Sequence, residues 1–424
     1  MRAIALLVGT SLLAACGGSE QGISSGGSVA VGGGTGGSSG GGSGGGSGSG
    51  IIPGSGHTFE NPTEQKSYIA VGGTHSFQYN TQIDLTNNTG SGQQDQLYAG
   101  NATTVRNSGI TVDYNPRDAI FDLVIADANS GVNANIRFQD PAHRTDFGGR
   151  IEPQRSTPDL SAPGIQYLEV TTGTSNEALA AGRLGITPAE ENGGGSFDQS
   201  TFFYQQPGTT TRHVTFAGYL RNSITARRID TEGDATNAPV SSLTNTYDLS
   251  RGVFVFGEAT PTGNVPGRGT GTYSGSMLAT SVVNDQLDNF GTDAPTYFQW
   301  IEGSSDLAVD FGANTFSLDL TGTAFAPEID LGTSGSHSVR SGATFNANGR
   351  GNINLVAAGG FVGQFQQAWF VNPDNSRLDL LVAGSSIDGA FYGPSAEEAA
   401  GNFRIVGGTP DERIDILGVF TGAE

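Results

Sequence analysis

The sequence predicts an all-β protein with two antiparallel β regions, the second a closed eight-stranded barrel, carried behind a long tether of glycine and serine. Three observations predict it. From His57 onward, short runs rich in Val, Ile, Phe, Tyr and Thr are separated by Gly, Asn, Asp and Pro, the pattern of strands and turns. The segment DLAVDFGANTFSLDL (306–320) reads as a hairpin. Leu307, Val309 and Phe311 alternate with Ala308 and Asp310; after a Gly-Ala-Asn turn, Phe316, Leu318 and Leu320 alternate with Ser317 and Asp319. After residue 257, strand-like runs recur every 10 to 20 residues, and a count near eight with short polar turns suits a small closed barrel.

The chain opens on Arg2, the only charge before the apolar run Ala3 to Ala15. That run is too short for a membrane-spanning helix, which takes about 20 apolar residues. A positive start, an apolar centre and small residues give the layout of a secretory signal, read here as residues 1–15. It ends in LLAAC, and Cys16 is the only cysteine among 424 residues. One thiol closes no internal disulfide and builds no multi-cysteine zinc site. The LLAAC ending resembles the lipobox of bacterial lipoproteins, which implies cleavage before Cys16 and lipidation of that residue. Gly17 stands where inner-membrane lipoproteins usually carry Asp, which implies the outer membrane.

Residues 16–56 form the lipidated cysteine and its linker. Three-quarters of residues 17–56 are Gly or Ser, with no charge after Glu20. Such a segment buries too little apolar surface to offset its chain entropy. It is expected to behave as a coil with an end-to-end distance of roughly 35 Å. GGSGG (41–45) fits the serine-hydrolase pattern only through this composition, with no strand before it and no helix after.

The first β region covers 57–256, with candidate strands AIFDLVIA, ANIRFQD, IQYLEVT, STFFYQQ, HVTFAGYLR and GVFVFGE, and irregular links at 139–164 and 229–249. Residues 257–269 read as a linker. The second region covers 257–424, with strands expected at 269–280, 297–301, 305–311, 314–322, 342–347, 351–356, 361–371, 383–392, 401–406 and 413–421. PSAEEAA (394–400) is expected to make one or two helical turns, with Pro394 at the first helical position and Gly401 ending it.

Charge narrows the partners. Lys and Arg number 20 against 41 Asp and Glu, a net charge of −21. Such a chain repels phosphate backbones, so no nucleic acid is expected. Membrane contact is expected only through the lipid anchor. The five histidines show no local zinc spacing, and no Asp-x-Asp-x-Asp-Gly loop marks calcium. His75 and His337 are the candidates for a single haem ligand, against the solvated or structural role most lone histidines have. DFG at 146–148 and 310–312 lacks every other kinase element. Carboxylate pairs are too abundant in an acidic chain to single out a glycosidase pair. No enzyme activity and no cofactor are predicted.

Three stretches resemble a known family together: FVFGEATPTGNVPGRGTGTYSGSM (254–277), GSHSVRSGATFNANGRGNINL (335–355) and SSIDGAFYGPSAEEAAGNFRI (385–405), followed by ILGVFTG. Their order is similar to the β-barrel domain of the transferrin-binding protein B superfamily of bacterial surface lipoproteins. The most specific element is G-x-F-Y-G-P-x-A-x-E, met by Gly389, Phe391, Tyr392, Gly393, Pro394, Ala396 and Glu398. The resemblance covers roughly 250–424 and implies that 57–256 is the handle domain preceding the barrel. Type members carry two handle–barrel lobes, whereas this chain has room for one.

The motif residues have a structural account of their own. Tyr273, Phe391 and Phe403 supply apolar bulk inside the barrel, while Gly275, Gly389 and Gly393 allow bending and close approach. The resemblance implies a non-enzymatic surface binding protein for a host or environmental protein, haem or a small solute. A TonB-dependent receptor and surface lipoprotein export machinery are its possible associates. The alternative is a shielding surface lipoprotein without a dedicated ligand. The longest polar interruption in the barrel, NDQLDNFGTDAPTY (284–297), carries the expected partner-binding residues Phe290 and Tyr297, since long loops and their aromatics tend to carry binding.

Overall fold

A computed structural model of the chain describes residues 64–87, 89–115, 120–139, 165–173, 194–205, 210–231, 240–284, 296–327, 337–407 and 413–424. Among them there is no α-helix, and two antiparallel sheets account for nearly all the regular structure.

The first sheet is built from β1 (Lys66–Asp84), β2 (Thr89–Gly90), β3 (Gln94–Ala102), β4 (Ile110–Asn115), β5 (Ile120–Asp127), β6 (Val132–Gln139), β7 (Ile165–Gly173), β8 (Gly194–Gln205), β9 (Val214–Thr231) and β10 (Val240–Gly257). Its order is β6-β5-β4-β1-β10-β9-β8-β7, with β2 and β3 also paired to β1. It curls into a half-barrel around the rings of Phe121, Phe138, Phe202, Phe254 and Phe256. β9 and β10 pair without interruption from Val214↔Gly257 to Thr231↔Val240. The expected irregular link at 229–249 is therefore corrected over 240–249, which is strand. That half of the hairpin is rich in Ser, Thr and Asn and lacks the apolar run that marks a strand in sequence.

The second sheet contains β11 (Thr270–Asn284), β12 (Thr296–Asp310), β13 (Thr315–Ala324), β14 (Thr344–Asn354), β15 (Gly360–Val371), β16 (Arg377–Asp379), β17 (Ser386–Tyr392), β18 (Glu398–Gly407) and β19 (Arg413–Ala423). Its order β14-β13-β12-β11-β19-β18-β17-β15 closes through β14–β15 pairing into an eight-stranded antiparallel barrel, with β16 appended to β15. The hairpin reading holds: Leu307 pairs with Leu318 and Val309 with Phe316, across a turn whose Asn314 takes φ 55°.

Three barrel expectations change. The runs 297–301 and 305–311 are one strand, β12, which continues through Gly303, Ser304 and Ser305. The runs 342–347 and 351–356 are likewise one strand, β14, which continues through Asn348, Gly349 and Arg350. PSAEEAA forms a turn and the start of β18, with no helix; Ala396 adopts φ 68°, outside the helical region.

The barrel interior is filled. Phe391 is 2% exposed and meets the rings of Tyr273, Phe311 and Phe361 at 6.0, 5.4 and 5.4 Å. Phe403 and Phe420 belong to the same core. A Cβ at Gly389 would run into the Phe361 ring, and one at Gly275 into the Thr421 carbonyl, so both glycines permit close approach as expected.

Phe391→Ala is expected to cost about 3–5 kcal/mol in urea denaturation, the usual range for deleting a core aromatic. A loss below about 1 kcal/mol would show that the ring is not part of the core.

Candidate functional site

The outer wall of the barrel divides into two halves by burial. On β13 and β14 buried and exposed residues largely alternate. On β11 residues 277–283, on β12 residues 296–301, on β18 residues 398–403 and on β19 residues 414–422 are buried without a break. A strand buried on both faces needs a second layer over its outer face. The half-barrel supplies it: Val71, Phe203, Phe216, Val253 and Val255 cover Leu278, Trp300, Leu417 and Val419. Phe203 meets Trp300 edge-on, with ring centroids 5.4 Å apart. Gly73 leaves room for the Leu417 side chain, which a Cβ there would meet at 2.8 Å.

The sequence fingerprint lies at one end of this junction and works as a clasp. Gly393, at φ 87°, lets the β17–β18 turn fold back. The linker is laced to that turn. The Thr260 amide donates to the Phe391 carbonyl at 2.8 Å and its hydroxyl to the Gly393 carbonyl at 2.7 Å. The Gly393 amide donates to the Glu258 carbonyl at 2.9 Å. Glu398, 4% exposed, then reaches into the first sheet. Its carboxylate accepts the backbone amides of Arg212, His213 and Val214 at 2.6, 2.8 and 3.1 Å. The fingerprint therefore reports how the two sheets are joined.

A polar seam continues along the junction. The Asn402 amide donates to the carbonyls of Gly72 and Thr103 at 2.7 and 2.8 Å. Asp388 accepts the Val105 amide at 2.7 Å. Arg404 donates to both oxygens of Asp415 at 3.0 and 2.6 Å, and the Tyr98 hydroxyl donates to the same carboxylate at 2.5 Å. His75 completes the chain, with Nδ1 2.6 Å from the Tyr98 hydroxyl and Nε2 3.2 Å from the Thr280 carbonyl. Burial, only partly offset by Asp415, pushes the His75 imidazole down to about 4 from 6.5. Burial raises the Asp388 carboxyl to about 6 from 3.8, against the Val105 amide. Sequence reading missed this seam. Its signal was Asp415 and Arg404 standing inside apolar strand runs, where a charge needs a buried partner.

The expected site residues meet different fates. Cys16 and Phe290 lie outside the described residues. Tyr297 is corrected as a partner anchor. It sits in the barrel core, 0% exposed, edge-on to His337 at 4.6 Å, because its strand position points inward. His75 is corrected as a haem ligand, since it is 0% exposed and both ring nitrogens are engaged. The ends of β11 and β12, which residues 285–295 join, are tied to the first sheet. The Gln93 side chain donates to the Thr296 carbonyl at 3.0 Å and accepts its amide at 2.8 Å.

Glu398→Ala leaves three backbone amides without their shared acceptor, at an expected cost of about 2–4 kcal/mol in chemical denaturation. A change under about 0.5 kcal/mol would mean the clasp is not holding the sheets together. The seam also sets a pH dependence. The folded pKa of His75 lies below its unfolded value, so its contribution to stability is full above about pH 6.5 and lost as pH falls through 4. Asp388 runs the other way, with a penalty present above about pH 6 and relieved toward pH 4. His75→Gln is expected to flatten the fall in melting temperature between pH 6.5 and 4, and parallel curves for variant and wild type would contradict this. Asp388→Asn is expected to stabilise by about 2 kcal/mol at pH 7.5 and by little at pH 4.

Residues 265–424 match the family model of the C-lobe and N-lobe beta barrels of Tf-binding protein B. No curated protein matches the chain in sequence. Among solved structures, intact Ap-TbpB with its N and C lobes is similar at 12% identity, over 85% of this chain and 79% of that one, with a TM-score of 0.26. A doubly substituted transferrin binding protein B from Haemophilus parasuis Hp5 is similar at 13% identity, over 84% and 76% of the two chains, with a TM-score of 0.24. HpuA from Kingella denitrificans, solved in complex with human haemoglobin, is similar at 12% identity, over 72% and 84%, with a TM-score of 0.22. Residues 265–424 are thus a β-barrel of the transferrin-binding protein B type, and the half-barrel before them lies where the sequence reading places the handle.

Proposed function

We propose that this protein is a non-enzymatic surface receptor: an outer-membrane lipoprotein, anchored through Cys16, that holds its handle and barrel away from the lipid on residues 17–56 and captures an extracellular protein. One observation carries the preference for a protein over a small solute held in the barrel. The barrel interior is filled with side chains and half of its outer wall is covered by the handle. Strand ends and loops are what such a scaffold presents, and surfaces of that kind suit a macromolecule. Phe290, in the loop based at Asn284 and Thr296, is the proposed aromatic anchor. Two of the similar proteins point the same way, one named for transferrin and one solved with haemoglobin. A TonB-dependent receptor and surface export machinery fit this reading as associates.

The chain from Gly17 onward, made without its lipid, is expected to retain a protein when passed over immobilised transferrin, haemoglobin and whole serum in turn. Phe290→Ala is expected to weaken that capture by about 2 kcal/mol at unchanged melting temperature. Retention of none of these proteins would count against the receptor reading, and unchanged affinity would remove Phe290 from it. For the anchor, Cys16→Ser is expected to abolish acyl labelling and release the protein from the membrane fraction. A wild-type protein that takes no acyl label would refute it.

A further inference from the structure

The inner face of the handle's half-barrel changes character along its strands. Near one end it is packed with aromatic rings. Farther along, the same face carries Ser76 and Gln78 on β1, Ala99 on β3, and Asp248 and Ser250 on β10. Alternation places them: Tyr68 and Ala70 of β1, and Phe254 and Phe256 of β10, belong to the interior core, and the same parity runs on to these positions. Replacing rings by small residues leaves a cavity of about 460 Å³, closed on one side by the β5–β6 turn. That volume lies within the roughly 300–1,000 Å³ of small-molecule sites.

The turn is held in place. The Asp127 carboxylate accepts the Asn129 amide at 3.0 Å, the Thr74 hydroxyl at 2.8 Å and the Asn101 side chain at 3.0 Å. The Ser76 hydroxyl donates to the Ser130 carbonyl at 2.5 Å, and Gly131 takes φ 72°. The opposite wall holds Arg221, whose guanidinium donates to Asp198 and lies 3.7 Å from Asp248. Two carboxylates thus flank the one guanidinium, which leaves no free cation for a phosphate or carboxylate. Besides this ion-paired group, what faces the space is a set of neutral donors and acceptors, among them the carboxamides of Gln78, Asn129 and Asn133. Beside them stands Leu97, 64% exposed, which offers the cleft an aliphatic surface.

Paired amide and hydroxyl groups, a carboxylate acceptor and one aliphatic patch match the two faces of a sugar ring, hydroxyls at the edge and C–H groups on the flat side. We propose that this cleft of the handle binds a short neutral saccharide, at a site separate from the surface proposed for protein capture.

The test is saturation-transfer NMR on the chain from Gly17 onward, with glucose, galactose, mannose, N-acetylglucosamine, maltose and lactose as probes, and glycerol 3-phosphate and glutamate as charged controls. At least one sugar is expected to give saturable transfer. Asp248→Ala is expected to weaken that binding at least about tenfold, the loss of roughly one good polar contact. Asp198 still pairs with Arg221 in this variant, so its melting temperature is expected to hold. Ala99→Trp, which fills the cavity, is expected to abolish binding. If Ala99→Trp fails to fold, Asp248→Ala alone decides. No saturable sugar, equal binding in Asp248→Ala, or binding of only the charged controls would each overturn the proposal.

Discussion

The structure depends on one burial event, the packing of the handle's half-barrel against the outer wall of the barrel. A closed barrel satisfies its own backbone hydrogen bonds and fills its own interior, and by those criteria it needs no neighbour. This one nevertheless places Leu278, Trp300, Leu417 and Val419 on its outside. Left in water, that wall would be a large apolar patch of the kind that drives association. Covered, it turns two sheets into a single layered body whose middle layer is buried on both faces. The same constraint explains why polar groups along the junction are so heavily partnered. Asp415, Asn402 and Glu398 are each at most 4% exposed, and a buried charge or amide without partners would cost more than the apolar contacts around it return.

This layering also decides what was legible in the sequence. Period-two alternation appears where one face of a strand meets water, and the hairpin of β12 and β13 at 306–320 is such a place. Its pairing follows residue by residue from the sequence pattern. Where both faces are buried, alternation disappears, and the apolar run TYFQWI cannot say which side points inward. That is why Tyr297 read as the end of a binding loop when its ring belongs to the barrel core. The polar half of the β9–β10 hairpin failed for the opposite reason, since its pairing extends beyond the apolar stretch that signals it. PSAEEAA failed because local helix propensity is weak against a tight turn whose Gly393 and Ala396 take positive φ.

The family fingerprint, by contrast, was legible and means something definite. G-x-F-Y-G-P-x-A-x-E combines a ring for the barrel core, glycines for close approach, a reversal, and a carboxylate that crosses to the handle. Each residue type answers a geometric demand of the clasp. The motif therefore identifies an architecture, and it says nothing about which partner the loops hold. Fold is written in strands and clasp, whereas binding is proposed for the connections between strands.

That separation has a consequence for how such a protein can change. Clasp and seam fix the handle relative to the barrel through backbone groups and buried side chains, so loops can vary in length and composition without disturbing the junction. Residues 285–295 join two strand ends that are tied to the junction, through Gln93 and Thr296. Strand ends braced from both sheets in this way limit the ordering cost of binding beside them. The cleft in the handle is braced in the same way, by Asp127 gathering the turn that closes it. At the cleft a rigid frame of paired strands positions the β5–β6 turn, and its specificity is expected to reside in a few side chains on that turn and on the strands facing it.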